Sequence, residues 1–459
     1  MLIMNQKKFH RKSSIASCTS VCGLAADRMA ENEVHNRRPN IILAVLVAMF
    51  GSTSWLGPDA FWVEQGIHTQ KLPEGWSLGA TLTIIIQVSA LVALVYTILE
   101  SYNVKMKKAP LIILALLVNL CAFIPMGFFN EVSIEVAGKQ RSIVLYVAMF
   151  FIGAVAILSD VLFLPYMKNL PEVYFQAYFF GIGLSSFVPS ILSIIQGAAT
   201  YDCVPSAKNS SVLEPKFENL RFSVEIFYTI VFIWCCLGAF SFILIHFCRS
   251  FIDNLWYGGQ TLPRSSTDEK IIVITKPLAQ RKSIWNGTSD YMLLALITLI
   301  SGQNNVLLPS IQSFVVLPYS QTTYFWSLAL GSIAQPIAAF IAHLAPAKKT
   351  QTMAMHSVIT ITASAICVVL ALKSPTPWLV GTTIGSILVI MLTTSVYFFG
   401  TYSRCVIFEA IRDRSPSDDV KHRRLLYVGF TSQVGCALGT LFVFPTVNIF
   451  ELFESVPPC

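Results

Sequence analysis

Apolar residues gather in eleven stretches of this chain, at 40–61, 78–99, 109–129, 143–164, 174–195, 222–248, 291–316, 322–344, 353–372, 378–403 and 425–445, with short polar runs between them. Each is close to the ~20 residues that carry a helix across the ~30 Å hydrocarbon layer of a bilayer. Lipid offers the backbone no hydrogen-bond partner, so spans of this length close their own bonds as helices. Within the stretches only Asp59, Asp160 and Glu225 carry a charge. The pattern predicts an all-α polytopic membrane protein of about eleven transmembrane helices, with its function in the few polar groups held among them.

Composition agrees: 54% of residues are hydrophobic and 12% charged, against about a quarter charged in soluble domains. The net charge of +7 would suit a nucleic-acid binder, but its distribution argues otherwise. With the N-terminus in the cytoplasm, 25 of the 32 Lys and Arg residues fall on the cytoplasmic side and seven outside. Positive loops stay inside, so the N-terminus is expected in the cytoplasm and the C-terminus outside. The partner this implies is the bilayer, not nucleic acid. Residues 1–39 lack an apolar core and a small-residue cleavage site, so no secretory signal is expected there. The Cys residues show no paired C-x-x-C spacing, so no metal site or cofactor is expected.

Two features of the outer loops fit this topology. Asn209-Ser210-Ser211 is a glycosylation sequon in an outer loop, whereas Asn286-Gly287-Thr288 falls on the cytoplasmic side, where it stays unmodified. Cys203 and Cys459 both lie outside, where oxidation is possible. A bridge between them and two free thiols are the alternatives.

The polar loop 249–290, with Pro263, Arg264, Ser265, Ser266 and Thr267, has the composition of a linker. It divides the chain into a cytoplasmic tail (1–39), a six-helix bundle (40–248), the linker, a five-helix bundle (291–450) and an outer tail (451–459). In carriers built from two related bundles, helices interrupted at matching positions point to the substrate site. Both first spans carry such an interruption. Pro58 has no N–H and frees the carbonyl of Ser54, and Trp55, Asp59 and Trp62 share one face around it. Pro309 frees the carbonyl of Asn305, and Asn305 and Gln312 repeat the spacing. Indoles, a carboxylate and amides on two facing helices suit a flat, hydrogen-bonding solute. The plainer readings are an interfacial aromatic belt for the tryptophans and interhelical packing for the amides.

A carboxylate at mid-bilayer costs about 2.5–3.5 kcal/mol on insertion scales, so it normally meets a cavity or a partner. Asp59 lies towards the outer end of its span and Asp160 towards the inner end of the fourth. Phe163, Pro165 and Tyr166 follow Asp160 as an inner-gate candidate.

Gly51-Ser52-Thr53-Ser54-Trp55, Trp62-Val63-Glu64 and Leu72-Pro73-Glu74-Gly75-Trp76 together resemble the opening signature of the eukaryotic riboflavin transporters, solute carrier family 52: roughly G-x-G-S-W, N-G-x-W-V-E-L-P and L-P-E-G-W, aligned without a gap. The similarity continues through Phe163-Leu164-Pro165-Tyr166, Gly181, Gly183, Pro189, Asn305, Pro309, Gln312, Leu317-Pro318-Tyr319 and Pro336. It reaches Tyr402 and Arg404, which resemble an S-Y-x-K segment, then Gln433, Gly435, Gly439 and Asn448.

The resemblance implies a multi-pass cell-membrane carrier that takes up riboflavin by alternating access and performs no enzymatic step. Its expected architecture is 6+5 helices, major-facilitator-like or equilibrative-nucleoside-transporter-like. Trp55, Asp59, Trp62, Asp160, Asn305, Gln312 and Tyr319 are the expected substrate contacts. Glu74, Trp76, Phe163, Tyr402 and Arg404 are the expected gating or inlet residues, with a structural cap as the alternative for Glu74 and Trp76. The chain departs from the family pattern where Asp59 and Asp160 replace family Asn residues, Ala60 a Gly, Gln65-Gly66 a Leu-Pro, and Gln335 an Asn. Two carboxylates in place of amides remove donors and add titratable sites, which leaves open a related heterocycle such as a nucleoside, proton coupling, or a surface receptor that no longer transports.

Overall fold

The computed structural model describes residues 40–102, 104, 106–129, 131–136, 138–167, 172–197, 200–205, 213–257, 287–345, 347, 349–415, 418–457 and 459. The sequon at Asn209, Asn286 and the linker residues 263–267 lie outside the described residues. The helices are α1 (Ile41–Gly51), α2 (Leu56–Lys71), α3 (Leu78–Ser101), α4 (Lys108–Phe128), α5 (Ile143–Met167), α6 (Glu172–Gln196), α7 (Val224–Tyr257), α8 (Thr288–Gly302), α9 (Leu308–Val316), α10 (Gln321–Leu344), α11 (Thr350–Leu372), α12 (Thr383–Asp413) and α13 (Asp418–Asn448).

Among the described residues ten helical segments are long and apolar enough to cross a membrane, and α1 with α2, bent by 56°, makes an eleventh. Large apolar side chains such as Leu94, Val95, Leu114, Leu117 and Phe240 are exposed around the outside, whereas a soluble domain would bury them. The sharpest difference from the sequence reading is the length of the first span. It continues to Lys71 rather than ending near residue 61, so Glu64, Gln65, His68, Thr69 and Gln70 are buried helix residues, not a loop.

Both first spans break next to a glycine at one register. Gly51 ends α1 seven residues before Pro58, and Gly302 ends α8 seven residues before Pro309. The first break is an irregular turn at residues 52–55, after which Asp59 N–H picks up the Trp55 carbonyl at 3.1 Å. The second is a π-turn at Gln303–Leu307, where Leu308 N–H reaches back to the Gln303 carbonyl. In each case the proline follows in the first turn of the next helix, where a missing N–H costs least.

The same glycines sit at close helix crossings. A Cβ on Gly51 would lie 2.4 Å from the Tyr178 carbonyl, and one on Gly181 of α6 would lie 2.2 Å from the Ala48 carbonyl. In the second bundle a Cβ on Gly302 would lie 2.7 Å from the Gly435 carbonyl of α13, and one on Gly435 would lie 1.9 Å from that of Thr298. Packing in lipid rests on such backbone approach between small residues. The first span thus meets the fifth as the seventh meets the eleventh, the mark of two related bundles.

At the outer ends the loops form two hairpins that periodicity did not reveal, β1–β2 (Ile134–Val136, Lys139–Arg141) and β3–β4 (Thr200–Pro205, Leu213–Glu218). Cys203 in β3 is disulfide-bonded to Cys459, so the first bundle's hairpin is joined to the C-terminal tail. The tail folds back over the second bundle, with the Ser374 hydroxyl donating to the Glu454 carbonyl and Phe453 against Phe314.

Candidate functional site

The polar groups at the two breaks meet between the bundles. The Trp55 side chain acts on the Asp160 carboxylate of α5, as the Arg404 guanidinium of α12 does from the other bundle. Arg404 in turn donates to the Asn305 side chain at 3.1 Å. Asp160 and Asn305 are exposed, and Trp55, Asp59 and Arg404 half-buried, so this group is not sealed inside the protein. One turn into α2, Asp59 accepts from the Ser185 hydroxyl of α6 at 2.9 Å. The arrangement offers carboxylates as acceptors, an amide and guanidinium as donors, and one indole.

Towards the outer side the bundles are tied together. Gln321 on α10 donates to the Gly66 carbonyl at 2.7 Å and accepts from Gln70 at 3.2 Å. The Ser313 hydroxyl donates to the Trp76 carbonyl at 2.5 Å, and the Trp76 ring meets Phe314 edge-on. Ser310 and Thr83, and Thr81 and Asn448, add further contacts between the halves. A Cβ on Gly79 would lie 2.3 Å from the Pro309 carbonyl, so α3 and α9 touch backbone to backbone here. Beneath this seal Glu64 faces a crevice with Ser193, Gln196 and Gln321, and His68 stacks on Phe61 while bonding the Tyr228 hydroxyl at 2.9 Å. The bundles touch at the outer side, whereas the polar cluster at the breaks is less buried.

The expected site residues separate into three groups. Trp55, Asp59, Asp160, Asn305 and Arg404 come together. Trp62 is half-buried against the first bundle's core, beside Phe61. Gln312 is 1% exposed and fully engaged, donating to Ser327 at 2.9 Å and accepting from the Tyr397 hydroxyl at 2.9 Å. The shared face expected for Asn305 and Gln312 is split, because the π-turn adds a residue between them and rotates one against the other. Tyr319 lies at the outer surface, its hydroxyl on the Trp378 carbonyl at 2.7 Å, and partial burial pushes its phenol above the ordinary value.

Among the expected gating residues, Glu74 is a cap. Its buried carboxylate accepts from the Ser142 N–H at 2.8 Å, the Ser142 hydroxyl at 2.7 Å and the Tyr146 hydroxyl, fastening the loop after α2 to the start of α5. Trp76 crosses between the halves, as described. Phe163 is fully buried within the first bundle against Phe50, ring centroids 4.9 Å apart. Tyr402 lies at the inner end, donating to the Ala345 carbonyl at 2.9 Å.

The family model for solute carrier family 52, riboflavin transporter, matches residues 39–455. The chain belongs to that family. Riboflavin transporter rft-2 of Caenorhabditis elegans is 30% identical over 474 residues, covering 90% of this chain and 98% of its own length. Rft-1 of the same organism is 29% identical over 432 residues with the same coverage, and riboflavin transporter member 3-B of Danio rerio is 27% identical over 447. These relatives are transporters rather than enzymes. Two solved structures share the fold at low identity: a D-xylose-proton symporter (TM-score 0.58, 10% identical, 90% of this chain and 92% of that one) and a point mutant of the nucleoside transporter NupG (0.53, 9%, 89% and 92%). The fold is therefore major-facilitator-like.

Some polar residues near this region escaped the sequence reading. Glu64 and Gln321 sit where the bundles meet, and His68 packs inside the first bundle on Phe61 and Tyr228. Glu64 was signalled by its place in the Trp62-Val63-Glu64 segment and His68 only by the run of polar residues continuing the helical register of α2. Ser185 belongs to the fifth-span stretch that resembles the family, beside Gly183, but nothing in the sequence paired it with Asp59.

Proposed function

We propose that this chain takes up riboflavin across the plasma membrane by alternating access, with Trp55, Asp59, Asp160, Asn305 and Arg404 contacting the solute. The observation that carries the reading is the meeting of polar side chains from two equivalent broken helices between the bundles of a family 52 chain. Isoalloxazine is a flat tricycle whose pyrimidine-like edge presents carbonyls and an imide N–H. Asp160 and Asp59 supply acceptors for the N–H, Arg404 and Asn305 donors for the carbonyls, and Trp55 an indole face for the rings.

The closed outer side supports the other half of the cycle. Carboxyl, imidazole and amide groups are costly to bury, yet Glu64, Gln65, His68, Thr69 and Gln70 line the helix that meets the second bundle there. Parting of the bundles at that end would hydrate this band and turn the central residues outward. Glycosylation at Asn209 would place the loop that holds it outside the cell, and digestion with an endoglycosidase tests that.

Uptake of labelled riboflavin into cells expressing the chain tests the reading. Saturable uptake that falls at least tenfold in Arg404→Ala at equal surface abundance is expected. Uptake indifferent to Arg404, Asp160 and Asn305 would remove this cluster from the substrate path.

A further inference from the structure

Outside the sealed gate lies a second hollow, of about 240 Å³, on the far side of the Gln70–Gln321 hydrogen bond from Asp160 and Arg404. Trp76 and Tyr201 wall it from the first bundle and Pro318 and Pro375 from the second, with Val456 and Pro457 of the tail completing it. Its floor is the gate itself, since Gln70 and Gln321 both line it.

The walls are held firmly. Tyr201 pairs across the hairpin with Phe217, rings 5.6 Å apart, and Phe217 rests on the Lys71 ammonium at 5.7 Å. The Cys203–Cys459 bond fixes the hairpin to the tail that closes the other side. Partial burial pushes the Tyr201 phenol above its ordinary value.

Two polar side chains that line the hollow keep an atom without a partner. Trp76 is 7% exposed and its indole N–H makes no hydrogen bond, and Gln70 is 6% exposed with its amide oxygen likewise unpaired. Both atoms are shielded in this arrangement, and movement of the Gln70–Gln321 contact would turn them to a ligand that brings one acceptor and one donor. Aromatic and proline walls beside the amides of Gln70 and Gln321 suit the edge of a flat heterocycle.

We propose that this vestibule is a preliminary binding site for the ring system of the substrate, filled before the gate opens. The inference rests on the reading of the chain as a riboflavin carrier. A ring seated between Trp76 and Pro318 touches both bundles and both partners of the gate bond. Its arrival competes with the Gln70–Gln321 contact, so loading the vestibule favours opening towards it.

Riboflavin fluorescence titrated with the purified full-length carrier in lipid nanodiscs tests this. Wild type is expected to quench two riboflavins per carrier. Tyr201→Ala should reduce this to one and leave the site sensitive to Arg404→Ala, while Tyr201→Phe, which keeps the ring, retains both. If Tyr201→Ala lowers the melting temperature, Tyr201→Leu preserves apolar bulk in the strand and should also lose one. One bound riboflavin in wild type, lost in Arg404→Ala and indifferent to Tyr201, overturns the vestibule and leaves the carrier reading standing. Absence of any binding overturns both.

Discussion

Arg404 on α12 donates to the Asn305 side chain at 3.1 Å, which joins the tenth span to the π-turn of the seventh and holds a guanidinium opposite Asp160. The two residues act as one polar unit of the second bundle, facing a carboxylate and an indole of the first. Charge of opposite sign on two bodies that must move apart and together gives the central space a defined polarity.

The first prediction concerns that pair. Asp160→Arg alone places two cations together and should lower riboflavin uptake at least tenfold, as should Arg404→Asp alone. The exchanged double variant should recover a measurable part of the loss, because the attraction is restored with its direction reversed. Arg404→Lys keeps the charge found in the family pattern and should keep most activity. A double variant no better than either single one would show that the two side chains do not act on each other.

Asp59 tests the departure from the family amide. Ser185 donates to its carboxylate at 2.9 Å, and an amide oxygen can accept the same bond, so Asp59→Asn should reach the membrane at wild-type abundance. Its uptake is expected to change in pH response or in preference among flavins and nucleosides. Uptake unchanged on both axes would take Asp59 out of the mechanism.

The outer seal is held by Gln321, which bonds both Gly66 and Gln70. Gln321→Ala removes two neutral hydrogen bonds at about 1 kcal/mol each, enough to shift the balance of conformations by about 5–30-fold towards outward-facing. Ser313→Cys, beneath Trp76, reports the shift through labelling by a membrane-impermeant maleimide. Labelling should rise several-fold when Gln321→Ala is added; an unchanged rate would mean that the seal rests on other contacts.

Stability should follow two positions with no part in recognition. Glu74→Ala strands the Ser142 N–H, the Ser142 hydroxyl and the Tyr146 hydroxyl, and losing a buried acceptor of three hydrogen bonds should cost on the order of 3 kcal/mol. Gly435→Val would drive side-chain atoms into the Thr298 carbonyl, where even a Cβ would sit at 1.9 Å, and should abolish folded protein. Thermal melting of the detergent-solubilised carrier measures both. A wild-type melting temperature in Glu74→Ala would contradict its role as a cap.

The membrane architecture was legible because lipid imposes one requirement on every span, an apolar run of sufficient length. Residues 62–71 broke that rule. Glu64, Gln65, His68, Thr69 and Gln70 face protein on both sides, where hydrogen bonding and not hydropathy decides burial, so an averaged hydropathy read them as loop. Proline marked the approximate place of each break, yet not its form. The turn at 52–55 kept Trp55, Asp59 and Asp160 within one region, whereas the π-turn separated Asn305 from Gln312. Which face a residue presents after a break depends on how many residues the break holds, and side-chain spacing does not encode that number. Arg404 was read as a gating residue from its place in a resembling segment; its bond to Asn305 came from the packing of α12 on the π-turn.

Competition in uptake addresses the central claim most directly. In cells expressing the chain, labelled riboflavin is expected to accumulate saturably, to be displaced by excess unlabelled riboflavin, and to be indifferent to excess nucleoside. Accumulation no greater than in control cells, or accumulation displaced by nucleoside as effectively as by riboflavin, would contradict the assignment of riboflavin as the solute carried between these two bundles.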